Sequence, residues 1–392
     1  MGRVLSIATL YPNVHHQRFG TFVARQMEAL AARGDWSVTV INPIGVPPVP
    51  MGRYRPLADA AISGVEGGVD VRRPRFTLLP GVGGPFNPAM IVRAALALAR
   101  RLHEREPFDL VDAQFFYPDG PAAAAIAREL GLPLSIKARG ADIQHWGHKS
   151  YALKKMLAAS HQAAGLLAVS EALANDMVAI GMPRSKITVH YTGLDRQLFR
   201  PMDQDACRRQ LASDYNLVLN EGDRLLVTVG ALIPRKGQDF AIRALRDLPG
   251  TQLALVGTGA DRADLRELAH RLGLSTRVHF LGNLDHGSLP IVLSAADVMV
   301  SPSSSEGLAN AWVEALACGT PLVITDAGGA RELITAPEAG RIVAREISAI
   351  ADGVREMLAA DYAAAQVART VQRFSWEANA RALASYYSQL LG

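Results

Sequence analysis

Sulfur, aromatic rings and long apolar runs are all scarce in this chain of 392 residues. Its two cysteines, Cys207 and Cys318, stand in unrelated contexts, one in a polar stretch and one among small residues, which argues against a disulfide framework or a thiolate metal site. His145, His148 and Lys149 have no metal-ligand spacing, so neither a metal nor a cofactor is expected. Aromatics make up 6% and no nucleic-acid motif occurs, so nucleic acid is not an expected partner. No apolar run approaches the ~18 residues a membrane span requires. The segment Leu5 to Leu10 has neither a cationic lead nor a small-residue cleavage site, so the expectation is a cytoplasmic protein without a secretory signal. No repeat or low-complexity segment appears.

What the chain has is apolar bulk. At 49% apolar it exceeds one ordinary core, and two domains of about 190 residues are the natural division. The net charge of +4 is unevenly spread: residues 1–195 carry 21 Lys and Arg against 15 Asp and Glu, the rest 20 against 22. A basic first half either draws the chain to an anionic membrane surface or simply solvates it. Residues 43–90 concentrate Pro, Gly and arginine (Arg53, Arg55, Arg72, Arg73, Arg75), and only Gly68 to Arg72 reads as a strand. A segment this long is either a functional lid or a structural insertion.

The chain is organised around Val298 to Thr325. A strand (Val298 to Val300) breaks at Ser301-Pro302, a helix starts near Asn310 and stops at Gly319, and a second strand opens. Asn310 is expected to cap that helix and Gly319 to supply its left-handed stop. The loop aims a helix N-terminus beyond the strand ends, where open parallel sheets bind ligands and anions are favoured. Glu306 on the loop and Glu314 one turn into the helix are spaced to flank an elongated ligand, as two acceptors for sugar hydroxyls would be. Taken alone they read equally as helix-dipole and solvated acids. Upstream, Gly230 closes a strand and Arg235-Lys236-Gly237 opens a helix, a place for a diphosphate. Gly257-Thr258-Gly259 follows the next strand but lacks the third glycine of a dinucleotide fingerprint.

Together, Glu306-Gly307-x6-Glu314 with Ala315-Leu316-Ala317-x-Gly319-Thr320-Pro321, and Gly230-x5-Lys236-Gly237 with Arg235, resemble the donor-site and phosphate-binding motifs of the retaining glycosyltransferases of family 4. Phe19-Gly20-Thr21-Phe22-Val23 resembles that family's glycine loop after the first strand. Tyr191-Thr192-Gly193-Leu194-Asp195 with Phe199-Arg200-Pro201 resembles its interdomain segment. The family's His-Gly-x-Asp is here Arg139-Gly140-Ala141-Asp142, so the sugar-contacting histidine is replaced by Arg139.

The resemblance implies an α/β fold of GT-B architecture, two Rossmann-like doubly wound domains facing a cleft. Residues 1–198 would form the acceptor domain, 199–373 the donor domain, and 374–392 a helix packing back on the first. It implies Glu306, Arg235, Lys236 and Arg139 as catalytic residues. Glu314, Gly307, Leu308, Ala309, Asn310, Gly230, Gly20, His16, Asn283 and Gly257 would bind substrate. The implied donor is a UDP-, GDP- or ADP-sugar and the acceptor a glycan, a lipid-linked molecule or a small molecule, as in polysaccharide biosynthesis; peripheral contact with an anionic membrane is the expectation that the basic first half and the arginines of 43–90 add. Two other functions stay open: a nucleotide-sugar epimerase or hydrolase using Asp119, His145 or His16 for proton abstraction, and a non-catalytic nucleotide-sugar binder. His15 and His16 read either as loop histidines or, for His16, as the base of an inverting enzyme.

Periodicity predicts first-half strands at Val4 to Thr9, Asp109 to Ala113, Leu134 to Lys137, Gly165 to Val169 and Ile187 to His190. Helices are expected at Thr21 to Ala32, Pro88 to Glu104, Pro121 to Leu130 and from Ser170-Glu171. A linker with one short helix is expected over 202–221. Six strands follow, at Leu225 to Val229, Gln252 to Val256, Val278 to Leu281, Val298 to Val300, Leu322 to Ile324 and Arg341 to Val343, with crossover helices between them.

Overall fold

The computed structural model describes residues 1–392, the side chains of Arg53 and Ala58 apart, and divides into two compact units: Met1–Gly193 with Trp376–Gly392, and Leu194–Ser375. The Arg53 side chain of the arginine-rich stretch thus lies outside the described residues.

In the first unit the strands are β1 (Gly2–Ile7), β2 (Trp36–Ile41), β3 (Ile44–Val46), β4 (Gly64–Glu66), β5 (Val69–Arg72), β6 (Arg75–Thr77), β7 (Leu110–Ala113), β8 (Leu134–Ala138), β9 (Gly165–Ala168) and β10 (Ile187–Val189). Helices α1 (Thr21–Ala32), α2 (Asn87–Arg105), α3 (Asp119–Leu130), α4 (Ser150–Gln162) and α5 (Glu171–Ala179) connect them. The main sheet runs β10-β9-β8-β7-β1-β2-β5-β4, parallel except for the edge strand β4. Its direction of growth reverses between β1 and β7, so the loops after those two strands flank the switch point where open sheets bind ligands.

Two elements here exceed the sequence expectation. β2 and α4 were not anticipated, and residues 43–90 hold four short strands and a 3-10 turn (Gly52–Ala58) rather than one strand. The C-terminal helix Trp376–Leu390 belongs to this unit. Leu383, Ala384 and Tyr387 pack beside α1 and β2, with Tyr387 edge-on to Trp36 at 5.3 Å. Trp376 lies so close to Gly193 that a Cβ there would fall 2.2 Å from the ring.

The second unit begins with α6 (Gln204–Tyr215), which corrects the linker expectation. Asp203 caps it by accepting from the Ala206 amide, and Arg208 ties it to Asp297 at 2.7 Å, so the segment is part of the unit. Strands β11 (Arg224–Val229), β12 (Thr251–Val256), β13 (Val278–Gly282), β14 (Val298–Ser301), β15 (Leu322–Thr325) and β16 (Gly340–Val343) follow. They alternate with α7 (Gln238–Ala244), α8 (Arg262–Arg271), α9 (Leu289–Ala295), α10 (Asn310–Ala317), α11 (Ala330–Leu333), α12 (Ile347–Ala360) and α13 (Ala364–Arg369). All six strands are parallel in the order β13-β12-β11-β14-β15-β16, and the growth reverses between β11 and β14.

These strands read as unbroken apolar runs because helices cover both faces. Leu226, Leu253, Leu255, Val298, Val300 and Val323 are buried with Ile242, Leu265, Leu268, Ile350 and Val354 of the helices in one cluster. Each such side chain contributes roughly 1.5–3 kcal/mol by leaving water.

Candidate functional site

The loops after β11 and β14, on either side of the second unit's switch point, carry the charged residues singled out in the sequence. Beyond β11 the chain turns at Gly230 and forms a 3-10 turn, Pro234–Lys236. It passes through Gly237 in the left-handed region (φ 69°) and enters α7. Any Cβ at Gly237 would lie 2.4 Å from the Pro302 carbonyl, so only glycine lets the two loops touch.

Lys236 and Arg235 both reach Glu306, whose side chain is 8% exposed. The Lys236 ammonium donates to Glu306 Oε1 at 2.5 Å, and Arg235 Nη1 lies 3.3 Å from Oε2 while donating to the Ser305 carbonyl. The sequence marked all three residues, but not that the cations clasp the carboxylate. Arg345 was missed altogether. It lies just past β16, donates to the carbonyls of Pro302 and Pro234, and lies over the Phe240 ring at 4.4 Å, pinning both loops. A lone arginine after a strand gives no signal of such a role.

Beside this charged corner the strand ends are stripped of side chains. The Gly230 amide donates to Val256, and the Gly257 amide to Gly282, so consecutive loops lie on one another. A Cβ on Gly257 would fall 1.9 Å from the Gly230 carbonyl. Asn283 follows β13 and is exposed. At Gly230 and Gly257 a nucleotide could approach the main chain directly, with Lys236 beside Gly230.

Glu306, Gly307 and Leu308 are buried, and Ala309 and Asn310 are half-buried. The Gly307 carbonyl accepts from the Gly329 amide, which braces the loop from behind. The Asn310 expectation needs correction: Ala309 is extended (φ −69°, ψ 119°), so the helix starts one residue earlier, Asn310 is its first residue, and no side chain caps it. Gly319 does end it in the left-handed region (φ 89°). The Gly319 amide returns to Leu316 and the Thr320 amide to Ala315. Glu314 is half-buried on the second turn of α10.

In the first unit, Gly20 (φ 71°) precedes α1. A Cβ there would lie 2.4 Å from the main chain of Leu10, so the glycine lets the β1 loop fold back on itself. His16 is exposed, and its backbone amide closes a turn on Asn13. No carboxylate orients its ring among the described residues, and His145 is exposed too.

Arg139 turns inward. Its Nε donates to the Gln114 carbonyl at 3.2 Å, Nη2 to the Gln114 side chain, and the guanidinium lies over Phe22 at 4.9 Å, leaving buried Nη1 without a partner. Burial lowers its pKa to about 10, still charged at neutral pH. Asp142 does not pair with the guanidinium. It accepts from the backbone amides of Phe116, Arg139 and Gly140, and so acts as a clamp on the loop.

Asp119, considered for proton abstraction, is fully buried. It accepts from the Thr9 amide at 2.9 Å and the Thr9 hydroxyl at 2.7 Å, and burial raises its pKa to about 7. Behind Arg139, buried Lys137 donates to Gln26 Oε1 (2.9 Å) and to His190 Nδ1 (2.6 Å). His190 Nε2 in turn donates to the Asn379 carbonyl, which fixes its tautomer. Burial holds Lys137 well below the ordinary lysine range. This network is not legible from local sequence, because it depends on contacts among residues far apart in the chain.

Two Rossmann-like units with a glycine-lined, charge-bearing strand edge define the class, a GT-B glycosyltransferase. Residues 19–198 match the family described as Glycosyltransferase Family 4 and residues 212–374 the one described as Glycosyl transferases group 1; the chain belongs to these glycosyltransferases and is an enzyme of that kind. It is 28% identical over 399 residues, 98% of each chain, to TuaC of Bacillus subtilis (strain 168), a protein named for teichuronic acid biosynthesis. D-inositol 3-phosphate glycosyltransferase of Mycobacterium tuberculosis (strain F11) is 33% identical over 224 residues, which span 54% of this chain and 45% of that one. Among solved structures, HepE of Anabaena in complex with UDP has a TM-score of 0.74 at 22% identity, covering 99% of this chain and 100% of that one. Sucrose-phosphate synthase of Thermosynechococcus elongatus has 0.79 at 22%, covering 100% and 99%. These two likenesses speak to the fold.

Proposed function

We propose that this glycosyltransferase moves a sugar from a nucleotide-diphosphate donor to a glycan or lipid-linked acceptor with retention at the anomeric carbon. The observation that carries the reading is the convergence of Lys236 and Arg235 on Glu306 beside the bare strand ends of Gly230 and Gly257. Two cations neutralised by one carboxylate keep a net positive charge, and a diphosphate competes for them. Glu306, released from the cations, then faces the sugar as positive charge develops on it. The leaving diphosphate takes the acceptor's proton, so no separate base is needed, in keeping with the unpositioned ring of His16. Glu314 and the amides at the start of α10 hold the ribose and sugar oxygens.

Uridine is the base to test first, because HepE was solved with UDP and UDP-glucose. Thermal shift with UDP, GDP and ADP decides it. A ligand at 100 times its Kd stabilises by about 2.7 kcal/mol. UDP should raise Tm, and donor plus acceptor should give a product of unchanged anomeric configuration by NMR. An inverted product, or free sugar without transfer, overturns the proposal.

The same reading has the first unit resting on an anionic membrane at the inner face of the cell. No helix among the described residues is long and apolar enough to cross a membrane. Nine of the fourteen large apolar side chains left exposed lie between Val14 and Phe86, within the arginine-bearing half. Liposome co-sedimentation should rise with anionic lipid and fall with salt, since exposed charges are screened over ~8 Å at physiological ionic strength. Equal partitioning onto neutral vesicles removes this part of the proposal.

A further inference from the structure

Aromatic residues are few in this chain, yet Tyr54, Trp146, Tyr151 and Tyr117 gather at one place in the first unit. They meet where the 3-10 turn after β3 and the loop after β6 cover the turn that follows β8. Tyr54, Trp146 and Tyr151 line a cavity of about 540 Å³, within the range of ~300–1,000 Å³ typical of small-ligand sites. Trp146 is held from two sides, by Tyr117 at 5.0 Å and by His145 at 5.1 Å between ring centroids. The Tyr117 hydroxyl donates to the Gly84 carbonyl at 2.6 Å, which fixes the covering loop. Gly84 lies against the Tyr151 ring: a Cβ there would fall 2.6 Å from the Tyr151 hydroxyl, so the tyrosine would have to shift to admit one.

Among the described residues, the only charge in the lining is Lys149. Its ammonium rests over Trp146 at 4.4 Å, and it makes no ion pair among the described residues. No Asp or Glu lines the cavity. The three lining rings are half-exposed rather than packed away. Flat apolar faces with polar tips and one cation suit a ligand that is apolar on one face, hydroxylated at its edge and negatively charged. A sugar ring stacked by its C–H face and bearing an anionic group has those properties.

We propose that this cavity is the acceptor subsite and that it takes an anionic saccharide, a sugar carrying a carboxylate or a phosphate. The assignment rests on the glycosyltransferase reading above. Trp146 supplies the stacking face, and Lys149 leaves the ring to meet the anionic group.

Ligand-observed NMR titration of the full chain with methyl β-D-glucuronide, glucose 6-phosphate and methyl β-D-glucoside tests it, with UDP binding measured on the same samples. At low salt, at least one of the two anionic sugars should bind about ten-fold tighter than the neutral one. Whether glucuronide or glucose 6-phosphate wins tells carboxylate from phosphate. Lys149→Ala should bring the anionic sugars to the level of the neutral one, and Trp146→Ala should weaken all three. Both variants should retain UDP binding, which shows that they fold. Equal binding of the three sugars overturns the anionic assignment. Binding untouched by both substitutions, or absent while UDP still binds, overturns the subsite but leaves the donor reading standing. Failure of UDP to bind the unaltered chain strikes the donor reading itself.

Discussion

At the strand ends of the second unit, glycines expose the main chain and two cations share one carboxylate near the surface. At those of the first unit, Lys137, Arg139, Asp112, Asp119 and Asp142 are turned inward and bonded to amides, carbonyls and glutamines. Both sheets are of the same doubly wound kind, and both reverse direction at a similar place. The difference lies in where the charge goes. Near the surface it is available to a ligand. Inside, it is spent holding loops, and its protonation becomes a matter of stability. Anion affinity should therefore follow substitutions in the second unit, and the pH dependence of folding those in the first.

The substitution expected to matter most to turnover is Glu306→Ala. In the proposed mechanism it removes an interaction made chiefly in the transition state, so kcat should fall by about 10² to 10³. Because Glu306 occupies Lys236 and Arg235, its removal also frees both cations. UDP should then bind at least as tightly as before, and calorimetry beside steady-state kinetics separates the two effects. A loss of UDP affinity matching the loss of kcat would contradict the proposed division of labour. His16→Ala serves as the comparison from the first unit and should be mild.

Lys236→Ala comes next. Losing a charge-assisted contact costs ~1.5–3 kcal/mol, so UDP binding should weaken roughly ten- to a hundred-fold, less at high salt. Arg139→Gln probes the buried counterpart and should cost folding stability with little change in UDP affinity. If Arg139→Gln weakens UDP as much as Lys236→Ala does, the contrast between the units fails.

Gly257→Ala tests the bare edge. The added Cβ meets the Gly230 carbonyl at 1.9 Å, and overpacking of this kind costs about 1–3 kcal/mol. Gly34→Ala is a control, also at positive φ (78°) but with nothing within 4 Å of the added atom, where only backbone strain applies. Denaturant midpoints should rank Gly257→Ala well below Gly34→Ala, and UDP affinity should fall only in the former.

Much of this was legible in the sequence because parallel strands under two helical layers are written as apolar runs. All six strands of the second unit could be found from LLVTV- or LVIT-like stretches, and Gly319 announced the end of α10. β2 escaped because WSVTVI carries polar residues within a strand that is mostly buried, directly before a Pro-rich segment. α4 escaped because its buried face is Ala152, Met156, Ala159 and Ser160, too small and weakly apolar to stand out. Asn310 misled because its residue type suits a cap, while the loop sets Ala309 in the extended conformation that caps require. The direction of Arg139 was not readable at all. It is set by Gln114 and Phe22, residues with no local sequence relation to it.

The smallest effect on turnover is expected from Asp119→Asn, whose consequence should appear in stability instead. The folded pKa of Asp119 is raised to about 7 by burial, against ~3.9 in an unfolded chain. Between those values the unfolded chain has released the proton and the folded chain keeps it. The native state thus binds more protons, and stability falls as pH rises from about 4 to about 7. Asparagine cannot ionise and keeps an acceptor for Thr9, so the variant should lose part of that slope. Asp112 and Asp142, also raised by burial, act in the same direction and preserve the rest. Two units need not unfold together, so the readout must belong to the first. A Trp312→Phe background provides it, because Trp36, Trp146 and Trp376 then remain, all in that unit. Urea midpoints followed by tryptophan fluorescence at pH 4.5, 5.5, 6.5 and 7.5 should converge at the acid end and separate toward neutrality, with the asparagine variant the more stable. Parallel curves would mean that Asp119 titrates near its unfolded value and that the buried charge of the first unit does not govern its pH response.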